Sequence, residues 1–344
     1  MRRSSSPAVS APGSTCSSHG TTSTRHSVPR SMEEGSEMDK LTIGVVGFGV
    51  IGQRWAACFA HAGHDVRVYD PAERRETVLN EVLPALAADL DGLKGPAPAT
   101  GAIRLFPTMA ETLEGVDFVQ ENGPEDLSLK RRLLAEIEDH IGDEVIVASS
   151  SSALLVSDIQ AECRVPGRIV LGHPFNPAHL MPLVEIVGGR ATDPQAIARA
   201  RAVYEDVGKK PVTLNREVTG HIALRLMGAM WREAIALVRD GVASVEDIDR
   251  AFMYGPGPKW TLQGSFISNS LNADGIEDFL RKYGPTYQAI WDTLLEARLD
   301  ADTIRAVSAS TGAATHGRGP EELRAARDAG LVGILRTVAE HGAL

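Results

Sequence analysis

The sequence predicts an α/β fold, in which a doubly wound parallel sheet is followed by an all-helical C-terminal domain. Three observations lead to this class. Short apolar segments rich in β-branched residues alternate with amphipathic helical segments between residues 42 and 214. A glycine-rich turn joins the first of these strands to the first helix. After residue 218 the apolar residues recur at three- and four-residue spacing, which is typical of helices.

The start of the chain differs in composition from the rest. It is rich in Ser, Thr, Pro and Arg and almost free of large apolar side chains. Because it cannot bury enough apolar surface to offset the loss of chain entropy on folding, we expect residues 1–38 to be a disordered extension. Its Arg/Ser bias is compatible with an organellar transit peptide. The lack of an amphipathic pattern favours instead a start codon placed too early, with Met32 or Met38 as the true first residue. We expect residues 39–217 to be the nucleotide-binding domain and residues 218–344 the helical domain for substrate binding and dimerisation.

The composition narrows the possible partners. The chain has 344 residues and a net charge of -10 at pH 7, and 43% of its residues are hydrophobic, which is ordinary for a protein with a sizeable core. An acidic chain lacks the clustered Lys and Arg that nucleic acid requires, and no apolar stretch approaches the ~20 residues of a membrane span. The cysteines Cys16, Cys58 and Cys163 share no close spacing, which predicts a reducing compartment, the cytoplasm, and no metal site.

The predicted strand 42–46 runs into a Gly-x-Gly-x-x-Gly turn, and a helix follows from Val50 to about residue 62. Gly47 permits the tight turn, Gly49 lets the backbone approach a pyrophosphate, and Gly52 lets helix and strand pack closely. The free N–H groups at the helix N-terminus favour the phosphates. This context predicts a Rossmann dinucleotide-binding site. Its phosphate-binding residues are Gly47, Phe48, Gly49, Val50, Ile51 and Gly52.

Asp70 ends the second predicted strand, 65–70, eighteen residues after Gly52. A carboxylate at this position accepts hydrogen bonds from the adenosine ribose hydroxyls and repels a 2′-phosphate, so the sequence predicts NAD rather than NADP as the cofactor. Arg74 and Arg75 lie close by and leave NADP open. The alternative, a glycine turn that binds no nucleotide, is disfavoured by the complete strand–turn–helix–strand context.

The alternation of strands and helices continues along the chain. Strands are predicted at 116–122, 144–152, 167–175 and 210–214, and helices at 127–141 and 194–208. Ligands of such sheets bind beyond the carboxyl ends of the strands. The loop from Glu121 to Glu125, the serines at 149–152 and His173 all follow strands at that edge, so we expect them to converge on one cleft with Asp70.

The C-terminal region is predicted to be helical throughout. The predicted helices lie at 220–241, at 244–252 with Ser244 as N-cap, and near 274–283, 285–297 and 320–340. The first of them carries apolar residues on more than one side, including Leu226, Trp231 and Ile235. Because such a helix needs more than one neighbour, we expect part of this surface to meet a second copy of the chain in a homodimer.

One apolar segment carries three polar groups that are costly to bury without partners. In GHPFNPAHLMPLVEI, residues 172–186, Asn176 comes three residues after His173, and Glu185 comes twelve after it. With the glycine turn before it and the helices after it, this segment resembles the 3-hydroxyacyl-CoA dehydrogenase family over residues 40 to about 340. Within that family, the chain resembles members that act on small free hydroxy acids, the L-carnitine dehydrogenases first and the lambda-crystallin/L-gulonate dehydrogenase group next.

The resemblance implies NAD-dependent oxidation of a small L-3-hydroxy acid, with L-carnitine to 3-dehydrocarnitine as the specific expectation. His173 would be the general base for the substrate hydroxyl, and Glu185 would orient and stabilise its imidazole. The residue types agree, because histidine titrates near neutrality and a carboxylate partner fixes its tautomer. The alternative for His173 is a core histidine with its hydrogen bonds satisfied.

Four further residues match positions of the family. Ser152 and Asn176 would hold the substrate oxygen and the nicotinamide ribose, and Glu125 and Lys130 would lie near the nicotinamide end of the cofactor. Ser152 is also a candidate N-cap for a helix in the segment that follows it. Lys130 is more simply explained as a solvated helix residue.

The remaining substrate contacts are less defined. Leu224 stands where acyl-CoA members carry an Asn that touches the substrate and carnitine-type members carry another polar residue. Aromatic faces hold quaternary ammonium groups, and the candidates, which are otherwise core or interface residues, are Trp231, Tyr254, Trp260 and Phe266. The candidates for the substrate carboxylate are Arg225, Lys259, Ser152 and Ser265. L-gulonate, a 3-hydroxyacyl-CoA and a non-catalytic, structural NAD-binding role stay open as alternatives.

Overall fold

A computed structural model of the chain describes residues 39–71, 77–97 and 99–342. The predicted extension 1–38, together with Arg74 and Arg75, lies outside the described residues. Within them, eight strands form one sheet in the order β3-β2-β1-β4-β5-β6-β7-β8. These are β1 (Thr42–Val46), β2 (Asp65–Tyr69), β3 (Ile103–Leu105), β4 (Phe118–Glu121), β5 (Ile146–Ser149), β6 (Ile169–Pro174), β7 (Leu183–Gly188) and β8 (Lys210–Thr213).

The sheet confirms the predicted doubly wound class and adds one reversal. Neighbouring strands from β3 to β6 are parallel, whereas β7 runs antiparallel to β6, and β8 is parallel to β7. The sequence did not predict β3 or β7. Residues 175–182 are too few for the crossover helix that a parallel return requires, so the chain turns back directly beside β6.

Six α-helices accompany the sheet in the part of the chain that the structure describes. They are α1 (Val50–His61), α2 (Leu83–Lys94, preceded by a π-helical turn at Val78–Val82), α3 (Met109–Leu113), α4 (Leu127–Glu138), α5 (Val156–Ile159) and α6 (Pro194–Asp206). One face of the sheet packs on α1, α2 and α6 around Trp55, Phe59 and Tyr204. The other face packs on α3, α4 and α5, with Leu134 and Ile159 fully buried. Covering on both faces explains why β4, β5 and β6 are buried along their whole length.

Six more α-helices make up the C-terminal region as far as residue 342. They are α7 (Ala223–Arg239), α8 (Val245–Tyr254), α9 (Pro256–Ser270), α10 (Ile276–Trp291), α11 (Ala301–Ala314) and α12 (Pro320–His341). The predicted cap of α8 is confirmed, because the Ser244 hydroxyl accepts a hydrogen bond from the Asp247 amide at 3.1 Å.

The helix boundaries in this region correct the prediction. The helices expected at 274–283 and 285–297 are one helix, α10, which continues through Pro285 and ends at Trp291. The sequence also missed α9 and α11. Helix α9 begins with Pro-Gly-Pro and is kinked at Gly264, whose φ is 69°, so its sequence carries breaking signals. Helix α11 is built mainly of Ala, Ser and Thr, which give little apolar periodicity.

Large apolar side chains stay on the surface of the helical region. Leu226 is 68% exposed, Tyr254 80% and Phe266 77%, so none of the three belongs to a core of the protomer. Exposed apolar patches of this kind mark surfaces for other molecules. Among the described helices, none combines the length and apolar composition needed to cross a lipid bilayer.

Candidate active site

The glycine turn between β1 and α1 is shaped by steric necessity. Gly47 has a φ of 89°, and a Cβ there would lie 2.9 Å from the Asn122 backbone. A Cβ on Gly52 would lie 1.9 Å from the Gly47 carbonyl oxygen. A Cβ on Gly49, by contrast, would meet nothing within 4 Å. The two outer glycines therefore let the chain pack on itself, while the middle one leaves open space against the backbone, as a bound pyrophosphate requires.

Asp70 follows β2 and closes the same turn. Its Oδ2 atom accepts a hydrogen bond from the Phe48 backbone N–H at 2.5 Å. The first residue of α1, Val50, is 58% exposed, so the N-terminus of this helix is open to a ligand. An open glycine turn with a carboxylate at the end of β2 fits NAD. The residues of the predicted turn would hold the cofactor phosphates, and Asp70 would hold the adenosine ribose.

A buried ion pair supports the loop after β4. Lys130 Nζ lies 3.0 Å from both carboxylate oxygens of Glu121 and 3.1 Å from the Gly123 carbonyl oxygen. The Ser149 hydroxyl donates to Glu121 Oε2 at 2.5 Å. Because Lys130 is only 1% exposed, the interpretation as a solvated helix residue is wrong. The lysine holds the loop between β4 and α4, and its proximity to the cofactor stays a prediction.

Glu125 organises the loop after β5. Its Oε1 atom accepts hydrogen bonds from the Ser151 hydroxyl at 2.7 Å and from the backbone N–H groups of Ser152, Ala153 and Leu154 at 2.8–3.1 Å. Burial raises the pKa of this carboxyl, but the Ser151 hydroxyl and the backbone N–H groups outweigh burial and hold the pKa below its usual range. Glu125 thus fixes the loop that carries Ser152.

The N-cap interpretation of Ser152 is wrong. Helix α5 begins at Val156, and its cap residue Leu155 makes no side-chain cap hydrogen bond. The local hydroxyl contact comes instead from Ser151, whose Oγ accepts from the Leu154 backbone N–H at 3.2 Å. The Ser152 side chain is left half-buried beside this loop, where its predicted substrate role stays open.

The strand reversal brings His173 and Glu185 together. The register of β6 and β7 places them directly opposite each other, and His173 Nδ1 lies 3.1 Å from Glu185 Oε2. Both side chains are buried. The other carboxylate oxygen, Oε1, accepts the backbone N–H groups of Ile222 and Ala223, at the start of α7, at 2.7 and 2.9 Å. The Glu185 carboxylate therefore links the two strands to the start of the helical region.

The surroundings of Glu185 keep it ionised. Burial alone would raise its pKa, but the hydrogen bonds from His173 and from the N–H groups of Ala223 and Ile222 lower the pKa below its usual range. An ionised carboxylate only accepts hydrogen bonds, so His173 Nδ1 must carry the proton of this contact. In the neutral ring, Nε2 then holds a lone pair and is able to accept a proton.

The glycine before His173 is required by packing. A Cβ on Gly172 would lie 1.8 Å from the Tyr204 hydroxyl oxygen. That hydroxyl donates to Gln120 Oε1 at 2.6 Å, and the Tyr204 ring is fully buried against Trp55 and Phe118. On the other side of His173, Asn176 begins the return to β7 and is exposed, so its side chain is free to meet a ligand in its predicted role.

A second histidine, which the sequence did not single out, lies beside this pair. The ring centroids of His221 and His173 are 5.1 Å apart, and His221 is 1% exposed. His221 Nε2 lies 3.4 Å from the Ser151 carbonyl oxygen. The only signal in the sequence is a polar residue between Gly220 and the apolar helix α7, and that signal cannot show which side chain the histidine meets.

The remaining predicted substrate residues lie on the surface of the protomer. Trp231, Tyr254, Trp260 and Phe266 are all exposed, and Trp260 packs edge-to-face on Phe252 with centroids 6.1 Å apart. Arg225, Lys259 and Ser265 are exposed as well, and Leu224 is half-buried in the first turn of α7. The exposure of the four aromatic side chains rules out the core interpretation. In the described ranges, no group of three or more His, Cys, Asp or Glu side chains is arranged to hold a metal ion.

Comparisons with known proteins show the family of the chain. The NAD binding domain of 3-hydroxyacyl-CoA dehydrogenase matches residues 42–218, and the C-terminal domain of 3-hydroxyacyl-CoA dehydrogenase matches residues 220–299. L-carnitine dehydrogenase of Bacillus cereus (strain ZK / E33L) is 37% identical over 303 residues, covering 86% of this chain and 92% of that protein. L-carnitine dehydrogenase of Streptomyces coelicolor is 38% identical over 303 residues, covering 87% and 95%.

Solved structures share the architecture. The 5-formyl-3-hydroxy-2-methylpyridine 4-carboxylic acid 5-dehydrogenase, an NAD+-dependent dismutase, superposes with a TM-score of 0.78 at 29% identity, covering 88% of this chain and 99% of that one. The (S)-3-hydroxybutyryl-CoA dehydrogenase of Ralstonia eutropha has a TM-score of 0.58 at 24% identity, covering 81% and 94%, and supports the fold alone. The chain belongs to the 3-hydroxyacyl-CoA dehydrogenase family and is an NAD-dependent oxidoreductase acting on CH–OH groups.

Proposed function

We propose that the protein oxidises the hydroxyl group of a small L-3-hydroxy acid, and specifically L-carnitine to 3-dehydrocarnitine. The observation that carries this proposal is the contact of His173 with Glu185 at 3.1 Å, near the carboxyl end of β6. Relatives named L-carnitine dehydrogenase, 37–38% identical over most of the chain, support the choice of substrate.

His173 is the general base in this proposal. Its Nε2 lone pair takes the proton of the substrate hydroxyl, and the ring becomes an imidazolium. NAD, which the glycine turn and Asp70 would hold, would supply the acceptor for the hydride that leaves the same carbon. A positioned base of this kind contributes roughly 10²–10⁴ to the rate. The alcohol loses one proton and one hydride, so the product is a ketone and no other reactant is needed.

Glu185 orients the base and stabilises its charged form. The carboxylate accepts from Nδ1, which fixes the tautomer, and its negative charge lies next to the imidazolium that forms. The two backbone N–H groups at the start of α7 hold the carboxylate at its other oxygen. The geometry of the base therefore depends on the docking of the helical region on the sheet.

The other site residues have supporting roles in the proposal. Ser152 and Asn176 hold the substrate oxygen and the nicotinamide ribose. Glu125 and Lys130 shape the loops at the nicotinamide end through the contacts described above. The turn from Gly47 to Gly52 would hold the cofactor phosphates, and Asp70 would bind the adenosine ribose.

Steady-state formation of NADH tests the substrate. The panel contains L-carnitine, D-carnitine, L-gulonate and 3-hydroxybutyryl-CoA, each with NAD. The proposal predicts turnover of L-carnitine with a kcat/KM well above that of the other three. If L-gulonate or the acyl-CoA is preferred, the assignment of His173 as the base stands, but L-carnitine is not the substrate. If NADH binds and no hydroxy acid is oxidised, the structural NAD-binding alternative replaces the proposal.

Leu224 keeps the second substrate candidate open. Because the position lacks the polar side chain that both acyl-CoA and carnitine-type members carry, L-gulonate or another short hydroxy acid is the alternative to carnitine. The variant Leu224→Asn separates these candidates. A gain in kcat/KM for L-carnitine or for the acyl-CoA identifies the substrate for which this position was altered, and an unchanged ratio shows that Leu224 does not select the substrate.

The assembly and organisation of the chain are further parts of the proposal. Exposed apolar residues of the helical region, such as Leu226, Tyr254 and Phe266, support a homodimer formed through residues 218–344. Residues 39–217 and 218–344 would be the two working domains, and the enzyme would act in the cytoplasm. Sedimentation equilibrium gives the oligomeric state, and a monomer at micromolar concentration would rule the dimer out.

A further inference from the structure

His221 occupies a costly position beside the proposed base. It has a φ of 49°, and in the described residues only His316 shares a positive φ among non-glycines. Left-handed backbone is unfavourable for a residue with a Cβ. The next two residues, Ile222 and Ala223, donate their N–H groups to Glu185. The strained turn therefore does two things at once: it secures the carboxylate and presents an imidazole to His173.

One nitrogen of the His221 ring has no partner. Nε2 lies 3.4 Å from the Ser151 carbonyl oxygen, which only accepts, so Nε2 carries the hydrogen. Nδ1 is buried and makes no hydrogen bond to any described residue. In the neutral ring this nitrogen holds a lone pair. An orphaned buried acceptor is expensive, so its presence next to a reacting group calls for a reason.

The charges around His221 come from three elements. His173 on β6 disfavours a second positive charge, whereas Glu185 on β7 and Glu125 in the loop after β4 favour one. Burial outweighs both carboxylates and lowers the pKa of His221 below its usual value. At neutral pH the ring is therefore uncharged, and its lone pair is the negative end of its dipole.

We propose that His221 is a positioning residue for the base: a neutral imidazole, held by the Ser151 carbonyl, that packs on His173 and stabilises the imidazolium formed when His173 takes the substrate proton. The inference rests on the proposed function of His173. A neutral imidazole offers a neighbouring cation a nitrogen lone pair as well as its π face, whereas a phenyl ring offers its π face alone. Glu185 acts on the Nδ1 side of His173, and His221 adds a second favourable partner through ring packing.

The variant His221→Phe tests the inference, because phenylalanine keeps a flat ring and removes both nitrogens. The primary readout is the pKa of His173, followed by NMR of histidine-labelled protein and assigned with His173→Asn. The His173 pKa should fall by roughly half a unit to one unit in His221→Phe, since the imidazolium loses the nitrogen lone pair of its neighbour and keeps only a π face beside it. The acid limb of kcat/KM should move to lower pH by the same amount, and kcat at its plateau should fall by up to roughly three- to tenfold, the limit set by the lower basicity.

Two control variants separate this effect from backbone strain. His316→Phe changes the other described non-glycine residue with positive φ, which is exposed and lies in the helical region. It should leave the His173 pKa unchanged. His221→Asn tolerates left-handed backbone and keeps a polar side chain, so it shows whether a loss in His221→Phe comes from misfolding of the turn. Thermal unfolding of each variant reports the fold.

The pKa of His173 in His221→Phe decides the inference. A lowered His173 pKa in His221→Phe, with KM for the hydroxy acid nearly unchanged, supports the inference. An unchanged or raised His173 pKa overturns it, and His221 is then a space-filling residue. The NMR titration needs no substrate. Failure of the proposed function, seen as no turnover of any hydroxy acid by the unmodified protein, is therefore distinguishable from failure of the inference.

Discussion

Replacing Glu185 by Gln removes one charge and leaves the shape of the site unchanged. The carboxylate makes three hydrogen bonds, to His173 Nδ1 at 3.1 Å and to the N–H groups of Ile222 and Ala223 at 2.7 and 2.9 Å. An amide offers only one oxygen. If that oxygen keeps the two backbone N–H groups, the amide NH2 faces His173 Nδ1, which must then accept. Nε2 becomes protonated in the neutral ring and can no longer act as a base.

The size of the effect follows from this change of tautomer. Loss of general-base catalysis costs roughly 10²–10⁴ in kcat. The dissociation constant of NADH should stay close to that of the unmodified protein, because the glycine turn and Asp70 are untouched. The free energy of unfolding should fall by about 1.5–3 kcal/mol, the contribution of a hydrogen bond to a charged group.

The pH dependence of stability has a definite sign. The pKa of Glu185 is below its usual value in the folded chain, so its contribution is present above about pH 4.3, the unfolded value, and is lost as the pH falls through the folded value. The difference in unfolding free energy between Glu185→Gln and the unmodified protein should therefore shrink in acid.

Initial rates of NADH formation, NADH binding by fluorescence and urea unfolding measure the three quantities. Glu233→Gln is the matched control, because Glu233 also accepts a backbone N–H, that of Leu295 at 2.6 Å, but lies in the helical region. It should lose stability without a comparable loss of kcat. A kcat for Glu185→Gln within about threefold of the unmodified protein would refute the role of the carboxylate in fixing the base.

Three further predictions address packing, cofactor choice and the buried ion pair. Gly172→Ala places a Cβ 1.8 Å from the Tyr204 hydroxyl oxygen and should lower the free energy of urea unfolding by about 1–3 kcal/mol. The control is Gly92→Ala, whose Cβ meets nothing within 4 Å and which should not lower that free energy. Equal urea midpoints for the two variants would contradict this prediction. Asp70→Asn should lower the ratio of kcat/KM with NAD to kcat/KM with NADP by about tenfold or more, and an unchanged ratio would remove Asp70 from cofactor selection. Lys130→Met leaves the Glu121 carboxylate buried without its cation and should lower the free energy of unfolding, measured with heat and with urea, by about 3–5 kcal/mol. Adding Glu121→Gln to the same chain should restore part of that loss. A Lys130→Met variant as stable as the unmodified protein would show that the ion pair is not needed for stability.

The sequence predicted the parts of the fold that local pattern determines. Gly47 and Gly52 were correctly explained, because their lack of a side chain answers a steric need within a short segment. The family resemblance predicted that His173 and Glu185 are partners, but the sequence did not predict β7, the strand that carries Glu185. The reversal that makes them neighbours depends on the short connection at 175–182, which a search for alternating strands and helices passes over.

Long-range contacts were out of reach of sequence patterns. For Lys130, considered alone, solvation was the simpler interpretation, yet its ammonium group is buried against Glu121 at the end of β4. His221 lies 48 residues beyond His173 in sequence, and only the docking of α7 on the sheet brings the two rings together. Helix α10 continues through Pro285, since packing in the helical region overrides the local preference to break there.

Proton removal by His173 is tested most directly by a single-turnover measurement of NADH formation from L-carnitine in His173→Asn. The variant keeps a polar side chain of moderate size and cannot act as a base near neutral pH. The proposal predicts a rate of hydride transfer reduced by roughly 10² or more, with the NADH dissociation constant unchanged. A single-turnover rate within about twofold of the unmodified protein would contradict the assignment of the base to His173.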